Sequence, residues 1–235
     1  MKKLLFAAAA LLLLAAVWNY NKTHFNKNEM ALLSEMSPLW GSSLSFKKTY
    51  FLSFSTSTRK FKVVSTGTDL KEITSDPIIP ASYSAYLLFR KLPDSYDLFE
   101  AQVLFDGKTY QYEYAPSDLE PRSDAMPIFD SIRTWATNGD HEKVQAICDT
   151  ALITPPSWKK IKDLEEVLDK KYGKIDSISF AGFEEFEWKE SSTSEFYYRL
   201  LKVYAYQYRG TKKILCYFTI NRAMPSRVLW GFGYG

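Results

Sequence analysis

Few residues in this chain are of types that do chemistry, and their spacing narrows the choice further. Histidine occurs twice, as His24 and His141. A zinc site needs several imidazole or thiolate ligands converging, and the chain has neither a Cys-x-x-Cys pair nor a His-Glu-x-x-His helix around Asp140-His141-Glu142. That triplet can place an acid–base imidazole at the mouth of a cleft, because histidine titrates near neutrality. The simpler reading, and the one preferred, is a solvated first helical turn, where acids meet the positive end of the helix dipole. The run Phe183-Glu184-Glu185-Phe186-Glu187-Trp188 alternates carboxylates with aromatics. It can supply paired acids or ligands for a hard cation, or it can be the polar outer face of an edge strand. A serine elbow and a phosphate-binding loop are both missing, and the glycines from Gly231 to Gly235 have no helix after them to bind a phosphate. These absences lean against an enzyme and name no metal or other cofactor.

Two further sets of side chains bear on function. Tyr198, Tyr204, Tyr206, Phe218 and Trp230 can line an apolar pocket in which phenol hydroxyls orient a ligand, or can fill a sheet interface as ordinary core. The two cysteines, Cys148 and Cys216, read either as small buried hydrophobes on a helix and a strand or as a disulfide, a bridge that chemistry permits outside the reducing cytosol.

The elements that must position these groups begin after an apolar leader. Met1-Lys2-Lys3 is followed by an uninterrupted apolar run of 14 residues, Leu4 to Val17, the charged and hydrophobic regions of an export signal. The run is short against the roughly 20 residues that span a bilayer. Cleavage is the default, and an uncleaved anchor with Trp18 and Tyr20 at the interface is the alternative. Residues 1–20 are therefore expected to act as signal peptide or membrane anchor, placing the rest in the periplasm or cell envelope with membrane contact only through this segment. The formal charge of +3 drops to +1 without Lys2 and Lys3, and the basic residues are scattered among 27 acids. That distribution excludes a nucleic-acid binder. Hydrophobic residues at 46% and aromatics at 16% exclude a disordered tail and favour β-structure.

Between residues 21 and 120 the pattern predicts a strand-rich α+β domain. A short helix over Asn28–Met36 presents Met30, Leu33 and Met36 and is closed by Pro38. Strand-like runs follow at 48–54, 60–65, 82–92, 96–105 and 109–114. Asp106-Gly107 is a hairpin signal, because type I′ turns need positive φ. Such hairpins can pair by strand addition with another protein. Turn formers over 115–123 mark a boundary, and 121–235 predicts a second domain. Its first helix is capped by Asp124 and ends at Asn138-Gly139, with Phe129, Ile132, Trp135 and Ala136 on one face. The next starts at Asp140 with a stripe of Val144, Ile147, Cys148 and Ala151. The third opens at Thr154-Pro155-Pro156 and buries Trp158, Ile161, Leu164, Leu168 and Tyr172. Strands are expected at 174–180, 183–188, 195–208, 212–220 and 227–234, with Arg209-Gly210-Thr211 as a turn. On the long strand Phe196, Tyr198, Leu200, Tyr204 and Tyr206 share one face while Leu201, Val203 and Ala205 share the other, so both faces are at least partly covered.

The order of helices over 124–235, the helix exit Leu164-Glu165-Glu166-Val167-Leu168-Asp169-Lys170-Lys171-Tyr172-Gly173-Lys174-Ile175 and the closing strand Trp230-Gly231-Phe232 resemble the NTF2-like (cystatin-like, cone-shaped α+β) superfamily. The resemblance implies C-terminal helices packed on a curved antiparallel sheet. Members include non-catalytic envelope modules as well as isomerases and dehydratases with a ligand in the cone, so fold does not settle function. The expectation is an exported, non-enzymatic module that binds an envelope protein partner or a small apolar ligand. The alternative is a small enzyme of isomerase or hydrolase type with a cone-shaped apolar pocket.

Overall fold

A computed structural model describes residues 25–40, 44–52, 57–65, 69–72, 74–92, 95–189, 197–223 and 228–234. The expected leader at 1–20, His24 and Phe196 lie outside these residues. The fold is mixed α+β, with helices α1 (Lys27–Trp40), α2 (Ile78–Lys91), α3 (Pro116–Asn138), α4 (His141–Ala146) and α5 (Pro155–Tyr172). Strands β1 (Leu44–Leu52), β2 (Ser57–Ser65), β3 (Leu98–Phe105) and β4 (Lys108–Tyr114) form one four-stranded sheet. Strands β5 (Ser177–Trp188), β6 (Tyr198–Arg209), β7 (Lys212–Ile220) and β8 (Leu229–Tyr234) form another, and both are ordered as numbered. Among the described residues no helix is long and apolar enough to cross a membrane. The chain divides into two compact units, Met1–Ile73 with Ser84–Pro116, and Thr74–Tyr83 with Ser117–Gly235.

In the first unit the outer strand pairs are antiparallel and β2–β3 is parallel, so the connection from β2 to β3 has to cross over, and it runs through α2. Phe46, Phe61, Val63, Phe99, Ala101 and Val103 share the core face, and Phe61 meets Phe46, Tyr96 and Phe25 edge-on or tilted at 4.8–5.8 Å. The opposite face is ionic. Lys60 and Lys62 reach the buried Glu100 at 2.8 and 2.6 Å, and Lys60 also meets Glu113 at 2.6 Å. Helix α1 opens on a capping box. The Asn26 side chain accepts from the Glu29 N–H while the Glu29 carboxylate accepts from the Asn26 N–H. Glu29 is buried and also takes the Lys48 ammonium and the Tyr96 hydroxyl, each at 2.5 Å, so three elements share one carboxylate. The face that α1 buries is Leu32, Met36 and Trp40; Met30, expected inside, is exposed, and the helix continues past Pro38.

The hairpin at Asp106-Gly107 is present, with φ of 51° and 70° in a two-residue connection between Phe105 and Lys108. The Asp69 carboxylate clamps it by accepting the Asp106 and Gly107 N–H groups at 2.8 Å each.

The strand expected over 82–92 is instead helix α2. Its residues are buried nearly all round, from Ile79 through Ser82 and from Ser84 to Leu88, so the polar stripe that announces a helix is missing. The start signal was nonetheless in the sequence. Asp76 accepts the Ile78 N–H through its side chain, and Pro77 sits where a first-turn proline is tolerated. The expected boundary at 115–123 is also helical, since α3 begins at Pro116 rather than Asp124 and ends at Gly139, φ 75°.

In the second unit β5 to β8 form an antiparallel meander. The expected break between two strands near residue 181 is a bulge within the single strand β5, where the register shifts between Phe180 and Gly182. Gly182 has φ of 155°, and a Cβ there would lie 2.2 Å from the Ile79 carbonyl oxygen. The bare backbone is what lets the start of α2 sit against this strand, where the Ser82 hydroxyl accepts the Phe183 N–H at 2.8 Å. On the other face of the sheet Phe129 of α3 packs edge-on against Phe180 and Phe218 at 6.1 and 5.9 Å.

Candidate functional site

The polar centre of the second unit grows from a residue expected in a turn. Arg209 ends β6, Gly210 (φ 54°) turns the chain, and the Arg209 side chain points inward with 0% exposure. Leaving a guanidinium there unpaired would cost several kcal/mol, and the fold surrounds it. It donates to Glu165 and Asp169 of α5, to Gln207 at 2.7 Å and to the Gly173 carbonyl at 2.8 Å. The Tyr234 hydroxyl of β8 donates to the second Glu165 oxygen. Burial opposes the Arg209 charge, but Asp169 and Glu165 outweigh it and raise its pKa; burial, then Glu165, raises that of Tyr234. Helix α5 therefore turns Trp158, Ile161 and Glu165 inward, while Leu164, expected inside, is exposed.

Beside this network lies a cleft of about 350 Å³, walled by the end of α3, by α4 and α5, and by the segment after α5. Asn138, His141, Glu165, Asp169 and Lys174 line it. His141, the first residue of α4, is part of this wall, and neither its ring nor the Lys174 ammonium bonds another described residue. Asp140 makes no side-chain cap and instead meets Lys143 at 2.7 Å. A niche of about 30 Å³ shares Ala136, His141, Glu165 and Ile175 with the cleft and is otherwise apolar, lined by Ile132, Val144, Trp158, Phe218 and Phe232 among others. The Trp158 indole N–H is buried with no acceptor among the described residues.

The five aromatics singled out in the sequence do not form one pocket. Registers put Tyr198, Tyr204 and Tyr206 on one face of β6, and Phe218, opposite Val203, on the other. Phe218 is core, packed on Phe129 and, at 5.1 Å, on Phe232. Tyr198 and Trp230 cluster with Trp188 at 4.8–5.9 Å. Tyr204 is buried and donates to Glu184 at 2.9 Å; burial, then Glu184, raises its pKa. Tyr206 is buried as well, and burial raises it.

The carboxylates of β5 are all engaged, Glu185 with Arg122 and Arg222 at 3.3 and 3.0 Å and Glu187 with Arg199 at 3.8 Å. Glu184 and Glu185 are opposite consecutive β6 residues and so face opposite ways, which separates them as an acid pair. Among the described residues no three His, Cys, Asp or Glu side chains converge for a metal.

Of the two readings of the cysteines, the structure shows buried free thiols and no bridge. Cys148 and Cys216 are free and buried, donating to the carbonyls of Val144 and Ala205. Burial pushes the thiol pKa up to about 11 for Cys148 and about 12 for Cys216. Cys148 lies beyond the end of α4, in a bridge to Leu229, rather than on a longer helical stripe.

Sequence reasoning weighed His141 as an acid–base candidate while preferring a solvated helical turn, and missed Glu165, Asp169, Lys174 and Arg209 as a group. The available signal was weak, a lone Glu at an inward helical position and an Arg at a strand end whose partners lie some 40 residues away.

The sequence matches no family model and no curated protein. One solved structure, described as "Structure of Bdellovibrio bacteriovorus Bd1075", is similar over 81% of this chain and 68% of its own at 14% identity, with a TM-score of 0.35. A likeness that low carries no argument about fold or function.

Proposed function

We propose that this is an exported cell-envelope protein whose second unit is a non-enzymatic binding module. One observation carries the binding reading. The helix-covered side of the β5–β8 sheet is filled by Phe129, Phe180, Phe218 and Phe232, while open space lies in a polar cleft where Glu165 is taken up by Arg209 and Tyr234 and Asp169 bonds Arg209 through Oδ1. Both Glu165 oxygens are bonded, and the Thr137 hydroxyl in the wall donates to the Arg133 carbonyl, so neither is poised to take a proton or attack a substrate. The NTF2-like resemblance, with its non-catalytic envelope members, agrees with this reading, although the open space lies at the helix ends and not in an apolar cone. Export rests on Leu4 to Val17 behind two lysines.

Fusing residues 1–30 to a reporter enzyme that folds only outside the reducing cytosol tests export, which requires reporter activity; an inactive, cytosolic fusion sinks it. A thermal-shift screen of small metabolites against the full chain, with turnover followed in parallel, tests the binding module. Stabilisation without conversion is expected.

A small enzyme of isomerase or hydrolase type is the second reading. It is favoured by His141, which lines the cleft and whose imidazole has no partner among the described residues. Turnover abolished by His141→Gln would establish it.

A further inference from the structure

The cleft described above has a chemistry specific enough to name the class of ligand it takes, an inference that rests on the binding reading. Its volume of about 350 Å³ lies within the roughly 300–1,000 Å³ of small-molecule sites. Its wall carries both signs of charge in groups the protein leaves available. Lys174 has no partner among the described residues, and Asp169 bonds Arg209 through Oδ1 alone, leaving Oδ2. Asn138 and His141 add polar groups that can donate or accept.

The adjoining niche sets the rest of the ligand. About 30 Å³ of apolar space between Val144, Phe218 and Phe232 holds a group the size of a methyl, or one water. Trp158 lines the same niche, and its buried N–H has no acceptor among the described residues, a donor that is destabilising unless something satisfies it.

We propose that the cleft binds a small zwitterion with a short aliphatic side chain, of the class of a free amino acid or a short peptide of small residues. Its ammonium pairs with Asp169, its carboxylate with Lys174 and Asn138, its aliphatic group fills the niche, and a ligand carbonyl left outside the niche meets the Trp158 N–H. Groups of both signs in one cleft fix the orientation and reject molecules that carry one charge only, because each would leave a lining group desolvated and unpaired.

Titration calorimetry on the full chain tests this with alanylalanine, its N-acetyl form and its C-terminal amide as probes. Alanylalanine is expected to bind, with each capped form and the Lys174→Gln variant weaker by at least about tenfold, as for the loss of a charge-assisted contact. Lys174 is exposed and outside the Arg209 network, so its variant folds. Trp158→Phe keeps the ring packing, removes the donor and weakens binding by several-fold. Equal affinity for the zwitterion and its capped forms overturns the proposal, as does binding unaffected by Lys174→Gln. If alanylalanine does not bind while the metabolite screen still finds a stabilising compound, the zwitterion proposal falls and the binding module stands; if nothing stabilises the chain, both fall.

Discussion

Arg209 is the residue on which the second unit depends most. It holds two acids of α5, a carbonyl beyond that helix and Gln207 on its own strand, at 0% exposure. Arg209→Met leaves Glu165 and Asp169 without their cation, and chemical denaturation should show a loss of about 3–5 kcal/mol. A loss under about 1 kcal/mol would mean the network is not structural. Glu100 makes the corresponding pH prediction for the first unit. Burial opposes its charge, but Lys60 and Lys62 outweigh burial and hold its pKa below the ordinary 4.5. The contribution is therefore present above the unfolded value and is lost as pH falls through the lower folded value. The stability difference between the wild type and Glu100→Gln should be constant near neutrality and shrink below about pH 4.5. A difference that persists to pH 2 contradicts the ionic origin. The thiolate is the reactive form of cysteine, so pKa values of about 11 and about 12 predict that neither Cys148 nor Cys216 reacts with a thiol reagent at pH 7.5 until the chain is unfolded, when both do. Reaction of neither after unfolding would indicate a bridge.

At the scale of elements, two positions carry testable geometry. Gly182→Ala drives a methyl into the Ile79 carbonyl, with only 2.2 Å available, and should cost about 3 kcal/mol, the upper end of overpacking. A neutral substitution there would mean that the start of α2 is not seated on β5. Asp76→Ala removes a cap from α2 and should cost about 1 kcal/mol. These elements also show what was legible beforehand. Helix α5 was readable because Thr154-Pro155-Pro156 opens it and Gly173 closes it, and the β3–β4 hairpin because only a few residues tolerate its φ values. Helix α2 was misread as a strand because, buried nearly all round, it has no polar face, and its Tyr, Leu and Phe content is common to buried strands. The inward turn of Glu165 was invisible for a different reason. Periodicity reports apolar faces, and a charge turned inward by a distant arginine breaks the pattern from which the face is inferred. The same limit hid most of the cleft, while His141 was singled out because its titration range marks it in any sequence.

The molecule as a whole combines an apolar run from Leu4 to Val17, a first unit with an aromatic core and an ionic sheet face, and a second unit with a filled interior and a polar cleft. The most direct measurement is the set of indole N–H signals from the six tryptophans in a nitrogen-15 correlation spectrum of the full chain, recorded as alanylalanine is added, with Trp158 assigned through Trp158→Phe. The Trp158 signal is expected to move and saturate, because Trp158 lines the niche and its N–H is unsatisfied, while Trp188 and Trp230, clustered with Tyr198 on the sheet, stay in place. A stationary Trp158 signal beside a moving Trp188 or Trp230 would put binding on the aromatic cluster and contradict the cleft as the site.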